Sequence, residues 1–168
     1  LLLEANLIKK NKPKYNIAMR DDKSFAKILV NKEHDYPRLM KYRGDNKLKG
    51  DYYGPFASAG AVNKTIDTLQ KAFLIRTCSN HVFENRSRPC LLYQINRCSA
   101  PCTGEITKQN YDHLINDLQD FMNGHASNIK DKIYTDMQRE SANFNYENAA
   151  KLRDRLETIN KIISQQSI

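Results

Sequence analysis

All four cysteines of this 168-residue chain fall between Cys78 and Cys102, spaced C-x11-C-x7-C-x3-C. No other feature limits the fold as tightly, because one short span must serve four thiols at once. Three explanations compete: two disulfides, buried structural thiols, or one metal site. Disulfides belong to exported proteins and do not persist in a reducing cytosol. The opening of the chain has no apolar run longer than Leu1-Leu2-Leu3, far short of a signal-peptide core or of the ~20 residues that cross a bilayer. The expectation is therefore a soluble, cytoplasmic chain with no membrane segment. Scattered core thiols do not account for the clustering, whereas a tetrathiolate site accounts for both the number and the clustering, since Zn(II) and iron–sulfur clusters each take four thiolates. The first spacing is wider than the paired C-x2-C knuckles of a zinc ribbon, and the residues alone leave zinc and iron–sulfur level. Pro89 and Pro101 stiffen the backbone before Cys90 and Cys102. Arg76, Arg86, Arg88, Arg97 and Lys108 supply cations that would offset thiolate charge.

The net charge of +8 is unevenly spread: residues 1–103 carry +10 and residues 104–168 carry −2. Phosphate neutralisation would draw a polyanion to the first part, while the second part suits a protein partner better. Within the basic part, Lys41, Arg43, Lys47 and Lys49 interleave with Tyr52 and Tyr53. Cations on phosphates and aromatic faces on unpaired bases would suit damaged duplex. The same aromatics, with Phe56 beside Pro55, serve equally as core residues.

The apolar periodicity predicts an α+β chain. Its N-terminal part is small and mixed, a helical cysteine region follows, and an antiparallel helical hairpin closes the chain. Leu1–Lys10 reads as the end of an amphipathic helix, stopped by Asn11-Lys12-Pro13. Tyr15–Met19, Phe25–Val30 and Arg38–Tyr42 read as short strands, and Gly44–Gly54 as a basic loop too polar to bury. Val62, Ile66, Leu69 and Phe73 recur at helical spacing, so 61–73 reads as a helix. Thr107 caps a helix that ends at Asn123-Gly124. Ile129, Ile133 and Met137 mark one arm of the hairpin, and Leu152, Leu156, Ile159 and Ile163 the other, with the turn at Asn143–Tyr146. An isolated hairpin of this length buries little, so its stripe serves either an outside partner or the preceding helix.

Four stretches, LLLEANLIKKNKPKYNIAMRDDKSF, KGDYYGPFASAGAV, NRSRPCLLYQINRCSAPC and NFNYENAAKLRDRLETI, together resemble the UvrC subunit family of the bacterial UvrABC excision nuclease. The resemblance implies that residues 1–22 are the C-terminal end of a GIY-YIG endonuclease domain. The family's metal-binding glutamate then maps onto Glu4, which would hold Mg or Mn, and a site asparagine maps onto Asn16. One carboxylate on a divalent cation suits phosphate cleavage, because the metal stabilises charge on the leaving oxygen. The family's GIY and YIG strands, with the catalytic tyrosine and arginine, are not in this text, so the expectation is that the chain does not cut DNA by itself. Residues 23–77 become a basic connecting region, 78–103 a four-cysteine region, 104–126 a connecting helix, and 127–163 a UVR hairpin.

The resemblance also implies a 4Fe-4S cluster on Cys78, Cys90, Cys98 and Cys102, with zinc as the alternative. It implies two partners, damaged double-stranded DNA and UvrB. The hairpin contact to UvrB would use Phe144, Tyr146, Ala149, Leu152, Arg153 and Leu156. Tyr146 stands where the family commonly has phenylalanine, and its hydroxyl needs a partner. The competing expectation is a non-catalytic DNA- and UvrB-binding adaptor with a structural metal site.

Overall fold

The computed structural model describes residues 25–56 and 59–166, together with Leu7, Lys10 and Asn11, which are helical. The expected strand at Tyr15–Met19 and most of the expected opening helix lie outside the described residues. Three strands, β1 (Ala26–Asn31), β2 (Arg38–Tyr42) and β3 (Gly50–Phe56), form an antiparallel sheet in the order β2-β1-β3. The central strand reads AKILVN, and Ile28, Leu29 and Val30 are all fully buried. Side chains alternate across a strand, so Ile28 and Val30 enter the main core while Leu29 lies outside that cluster.

The expected strands at 25–30 and 38–42 are present, but the loop expected over Gly44–Gly54 is corrected by β3. From Gly50 onward the chain pairs with β1, placing Tyr52 opposite Leu29 and Tyr53 opposite Ile28. Lysine and glycine content hid this strand. Its aromatics favour a half-buried pleated surface, and Tyr53 and Phe56 pack on the core. Gly50 admits the close approach of the two strands, since a Cβ there would lie 2.1 Å from the Val30 carbonyl oxygen.

Helix α1 (Ala59–Phe73) lays Val62, Leu69, Ala72 and Phe73 into the core. The cysteine region then folds as α2 (Asn80–Glu84), α3 (Leu91–Gln94) and a 3-10 turn at Pro101–Thr103. The Thr107 hydroxyl accepts the Asn110 N–H at 3.2 Å and caps α4 (Lys108–Met122), whose buried residues are Tyr111, Ile115, Leu118 and Phe121. Gly124, at φ +96°, turns the chain into α5 (Ala126–Ala142), and Asn143–Asn145 turns it again into α6 (Tyr146–Gln166).

Ile129 and Ile133 of α5, with Ile159 and Ile162 of α6, belong to the same core as the sheet, α1 and α4. The hairpin is thus docked on its own chain through one stripe. Lys132 of α5 pairs with Asp117 of α4 at 2.6 Å, and Arg155 of α6 donates from Nε to the Ala72 carbonyl at 2.7 Å. No helix among the described residues is long and apolar enough to cross a membrane.

Candidate functional site

The four cysteines come from separate short segments and converge on one cavity of about 230 Å³. Cys78 lies at a bend between α1 and α2, Cys90 immediately precedes α3, Cys98 follows the α3 turn, and Cys102 sits in the 3-10 turn. Phe83, Leu91, Leu92 and Pro101 give the cavity apolar walls, and Arg76 and Arg86 reach it as cations. The loop that carries Cys98 is pinned to the end of α1. Ser99 donates to the Leu74 carbonyl from its N–H at 2.9 Å and from its hydroxyl at 3.1 Å. Two non-glycine residues on either side of that pin, Leu74 and Ala100, have left-handed backbone, φ +56° and +48°. Such conformations persist where surrounding structure fixes them.

All four cysteines are free thiols. Burial pushes the Cys98 thiol up to about 11, helped by the three other cysteines around it and opposed by the Ala100 N–H. Cys102 is raised as well, by burial first and then by Cys78 and Cys90, with Arg86 acting in the opposite direction. Metal binding must therefore displace protons from this set. Among the described residues, no three His, Cys, Asp or Glu side chains are arranged around a single metal ion.

Arg76 is the hub beside the cavity. It is 1% exposed, with Nε on the Tyr36 carbonyl at 2.7 Å, Nη1 on the Cys78 carbonyl at 3.2 Å and Nη2 on Asn80 Oδ1 at 2.9 Å. Its backbone N–H donates to the Tyr111 hydroxyl at 3.2 Å, and that hydroxyl donates to the Pro37 carbonyl at 2.6 Å. Leu39 of β2 donates to the Arg76 carbonyl at 3.0 Å. The segment leading to Cys78 is thus tied to the sheet and to α4. Of the other cations named from the sequence, Arg88 is exposed, Arg97 is half-buried, and Lys108 stands over Tyr36 while pairing with Asp112; none of them lines the cavity.

Lys41, Arg43, Lys47 and Lys49 are exposed on β2 and the β2–β3 loop. Lys47 alone among them lies within ion-pair distance of a carboxylate of the described residues, at 3.9 Å from Asp45. Tyr52 and Tyr53 are both half-buried, and of the two Tyr53 packs on the main core. The Tyr52 hydroxyl donates to the Leu48 carbonyl at 2.8 Å, and Tyr53 is half-buried, its hydroxyl pushed up to about 12 by burial and by Asp51 and Asp120. Glu4 and Asn16 lie outside the described residues.

On the hairpin, Phe144 and Tyr146 are 78% and 63% exposed at the turn, with ring centroids 6.3 Å apart. Beside them Met137, Gln138, Ser141, Ala149, Ala150 and Arg153 line a shallow groove with Tyr146. Leu152 and Leu156, assigned with them to a partner surface, are half-buried and pack on the chain's own core.

Residues 25–121 match the family model for the UvrC/Cho excinuclease middle domain, and residues 127–162 match the UvrB/UvrC motif. The chain belongs to the UvrC family. Over all 168 residues it is 52% identical to the UvrABC system protein C of Mesorhizobium japonicum, 53% to that of Brucella suis and 51% to that of Cereibacter sphaeroides. It covers 24%, 28% and 27% of those proteins, so it spans about a quarter of the length of the curated relatives it matches. No solved structure matches it. It corresponds to the middle domain and UVR motif of the excinuclease subunit of nucleotide excision repair.

In this UvrC middle domain the sequence pattern pointed to the four thiols but not to Arg38 or Tyr111. Both act across the fold, on Cys78 and on the backbone of Arg76, and no local spacing marks either.

Proposed function

We propose that this chain is the part of a UvrC subunit that carries a 4Fe-4S cluster and docks UvrB, so that the subunit's nuclease modules are delivered to damaged DNA. The observation that supports it best is the convergence of all four cysteines on one apolar-walled cavity of about 230 Å³. Zinc and iron–sulfur clusters both take four thiolates, and the UvrC resemblance favours the cluster, with zinc as the alternative. Cys78, Cys90, Cys98 and Cys102 would hold it, and when bound it would supply cross-links between the short segments that carry them and a redox couple.

The chain's own residues do the rest. Lys41, Arg43, Lys47 and Lys49 meet phosphates from the exposed edge of the sheet, and their contacts weaken with salt through counterion release. Phe144, Tyr146, Ala149 and Arg153 face outward for UvrB; the exposed aromatic pair is the apolar anchor and the groove beside it admits a second helix. Leu152 and Leu156 support that face from below. In the intact subunit Glu4 would hold Mg or Mn and Asn16 would stand in the same site, for incision on the 3′ side of the lesion. The reducing cytoplasm keeps the four thiols available.

Anaerobic purification with metal analysis tests the central element. The expected protein is brown, absorbs near about 400 nm and carries iron and acid-labile sulfide in equal amounts. Colourless protein with stoichiometric zinc refutes it.

A further inference from the structure

Arg76 is a fully buried cation whose contacts are all neutral. Its guanidinium bonds the carbonyls of Tyr36 and Cys78 and the amide oxygen of Asn80, lies 4.0 Å from Cys78 Sγ, and sits 4.5 Å from the Phe83 ring centroid. Two further arginines approach the same place. Arg38 reaches the Cys78 carbonyl from Nη1 at 3.5 Å, and its Nε is buried without an acceptor. Arg86 lines the cysteine cavity itself. Among the described residues, none of the three has a carboxylate within ion-pair distance.

Neutral oxygens solvate a guanidinium but leave its charge uncompensated, and buried charges are normally paired. The missing anion has one candidate within reach. The four cysteines become thiolates when metal binds, and four thiolates outweigh the positive charge of an iron–sulfur core, so the loaded centre stays net negative. Apolar walls keep the local dielectric low, which lets charges several ångströms apart interact.

We propose that Arg76, assisted by Arg38 and Arg86, is the built-in counter-charge of the four-cysteine centre, favouring its loading and raising its reduction potential. This rests on the cluster reading above. Reduction adds one negative charge to the centre, so nearby fixed positive charge stabilises the reduced form over the oxidised one. Arg76 is a positioning and tuning residue: it touches a cysteine ligand, and the cluster feels its field.

The test compares wild type, Arg76→Gln, Arg76→Lys, Arg38→Gln and Arg86→Gln, each purified anaerobically as the full chain. The readouts are iron and sulfide per chain and a dithionite redox titration followed by visible absorption and electron paramagnetic resonance. Arg76→Gln is expected to shift the oxidised-to-reduced ratio at fixed potential about tenfold toward oxidised, about 59 mV for a one-electron couple. Arg76→Lys restores most of that shift because it keeps the charge, although it loses the forked hydrogen bonds. Arg38→Gln and Arg86→Gln move the potential less, in the same direction. Arg86 makes no hydrogen bond among the described residues, so its variant decides the matter if Arg76→Gln does not fold. Loaded Arg86→Gln and Arg76→Gln at the wild-type potential overturn the proposal, as does Arg76→Lys behaving like Arg76→Gln. Wild type that takes up no iron and sulfide overturns the cluster reading, and this proposal with it.

Discussion

Tyr111→Phe deletes one oxygen and keeps the ring. In the structure that oxygen is buried, donates to the Pro37 carbonyl at 2.6 Å and accepts the Arg76 N–H at 3.2 Å. It therefore joins α4, the turn before β2 and the segment that leads to Cys78. Burial holds its hydroxyl well above the ordinary phenol range, so it is the neutral form that donates. Without it, a buried carbonyl and a buried N–H lose a partner together. A net buried hydrogen bond contributes about 1 kcal/mol, and a stranded polar group costs about 1–3 kcal/mol, so the pair sets a destabilisation of about 2–3 kcal/mol. At a urea m-value of about 2 kcal/mol/M, the unfolding midpoint of the full chain falls by about 1 M. Tyr134→Phe is the control, because Tyr134 is 52% exposed and an exposed hydroxyl changes stability by no more than about 0.5 kcal/mol. Urea titration followed by far-ultraviolet circular dichroism measures both. A Tyr111→Phe midpoint within about 0.3 M of wild type would refute the claim that this hydroxyl fastens the cysteine segment to the sheet.

Two further outcomes are expected. Phe144→Ala with Tyr146→Ala should leave the urea midpoint unchanged, since both rings are exposed, yet weaken capture by purified UvrB at least about tenfold. Leu156→Asp should instead unfold the chain, because Leu156 packs on the core; undiminished capture by the aromatic double variant would place the interface elsewhere. The second outcome concerns pH. Cys98 rises from 9.0 to about 11 on folding, so between those values the native metal-free chain binds more protons than the unfolded chain. Its contribution is fully present below about pH 9 and is lost as pH rises through about 11, a loss of about 2–3 kcal/mol. Cys98→Ala should flatten that part of the stability–pH curve, and an unchanged slope would show that the thiol is not held protonated by burial.

How far the fold could be read from sequence depended on whether the signal was local. The strand at Ala26–Asn31 and the helix ending at Phe73 carry strong apolar patterns, and the Thr107 cap is a contact between residues three apart. Gly50–Phe56 failed as a strand prediction because its lysine- and glycine-rich approach outweighed three aromatics, and its pairing is decided by β1, some twenty residues earlier in the chain. The hairpin stripe was ambiguous for a related reason. Periodicity shows that Leu152, Leu156, Ile159 and Ile163 share a face but cannot say what covers it, and α1 supplies part of the cover.

The candidate site divides along the same line. Four thiols in one short window single out a candidate centre, because ligand chemistry demands the residue type and the window forces proximity. The counter-charge proposed for it is written in no motif. Arg76, two residues before Cys78, reads as one basic residue among many. Only the fold shows that every one of its hydrogen-bond acceptors is uncharged and that Arg38, forty residues away, reaches the same carbonyl. Neutral oxygens and the Phe83 ring solvate this buried cation, and an anionic cavity would give it the charge partner it otherwise lacks. If the proposed centre forms, Arg76 is its counter-charge, an argument separate from the spacing of the cysteines.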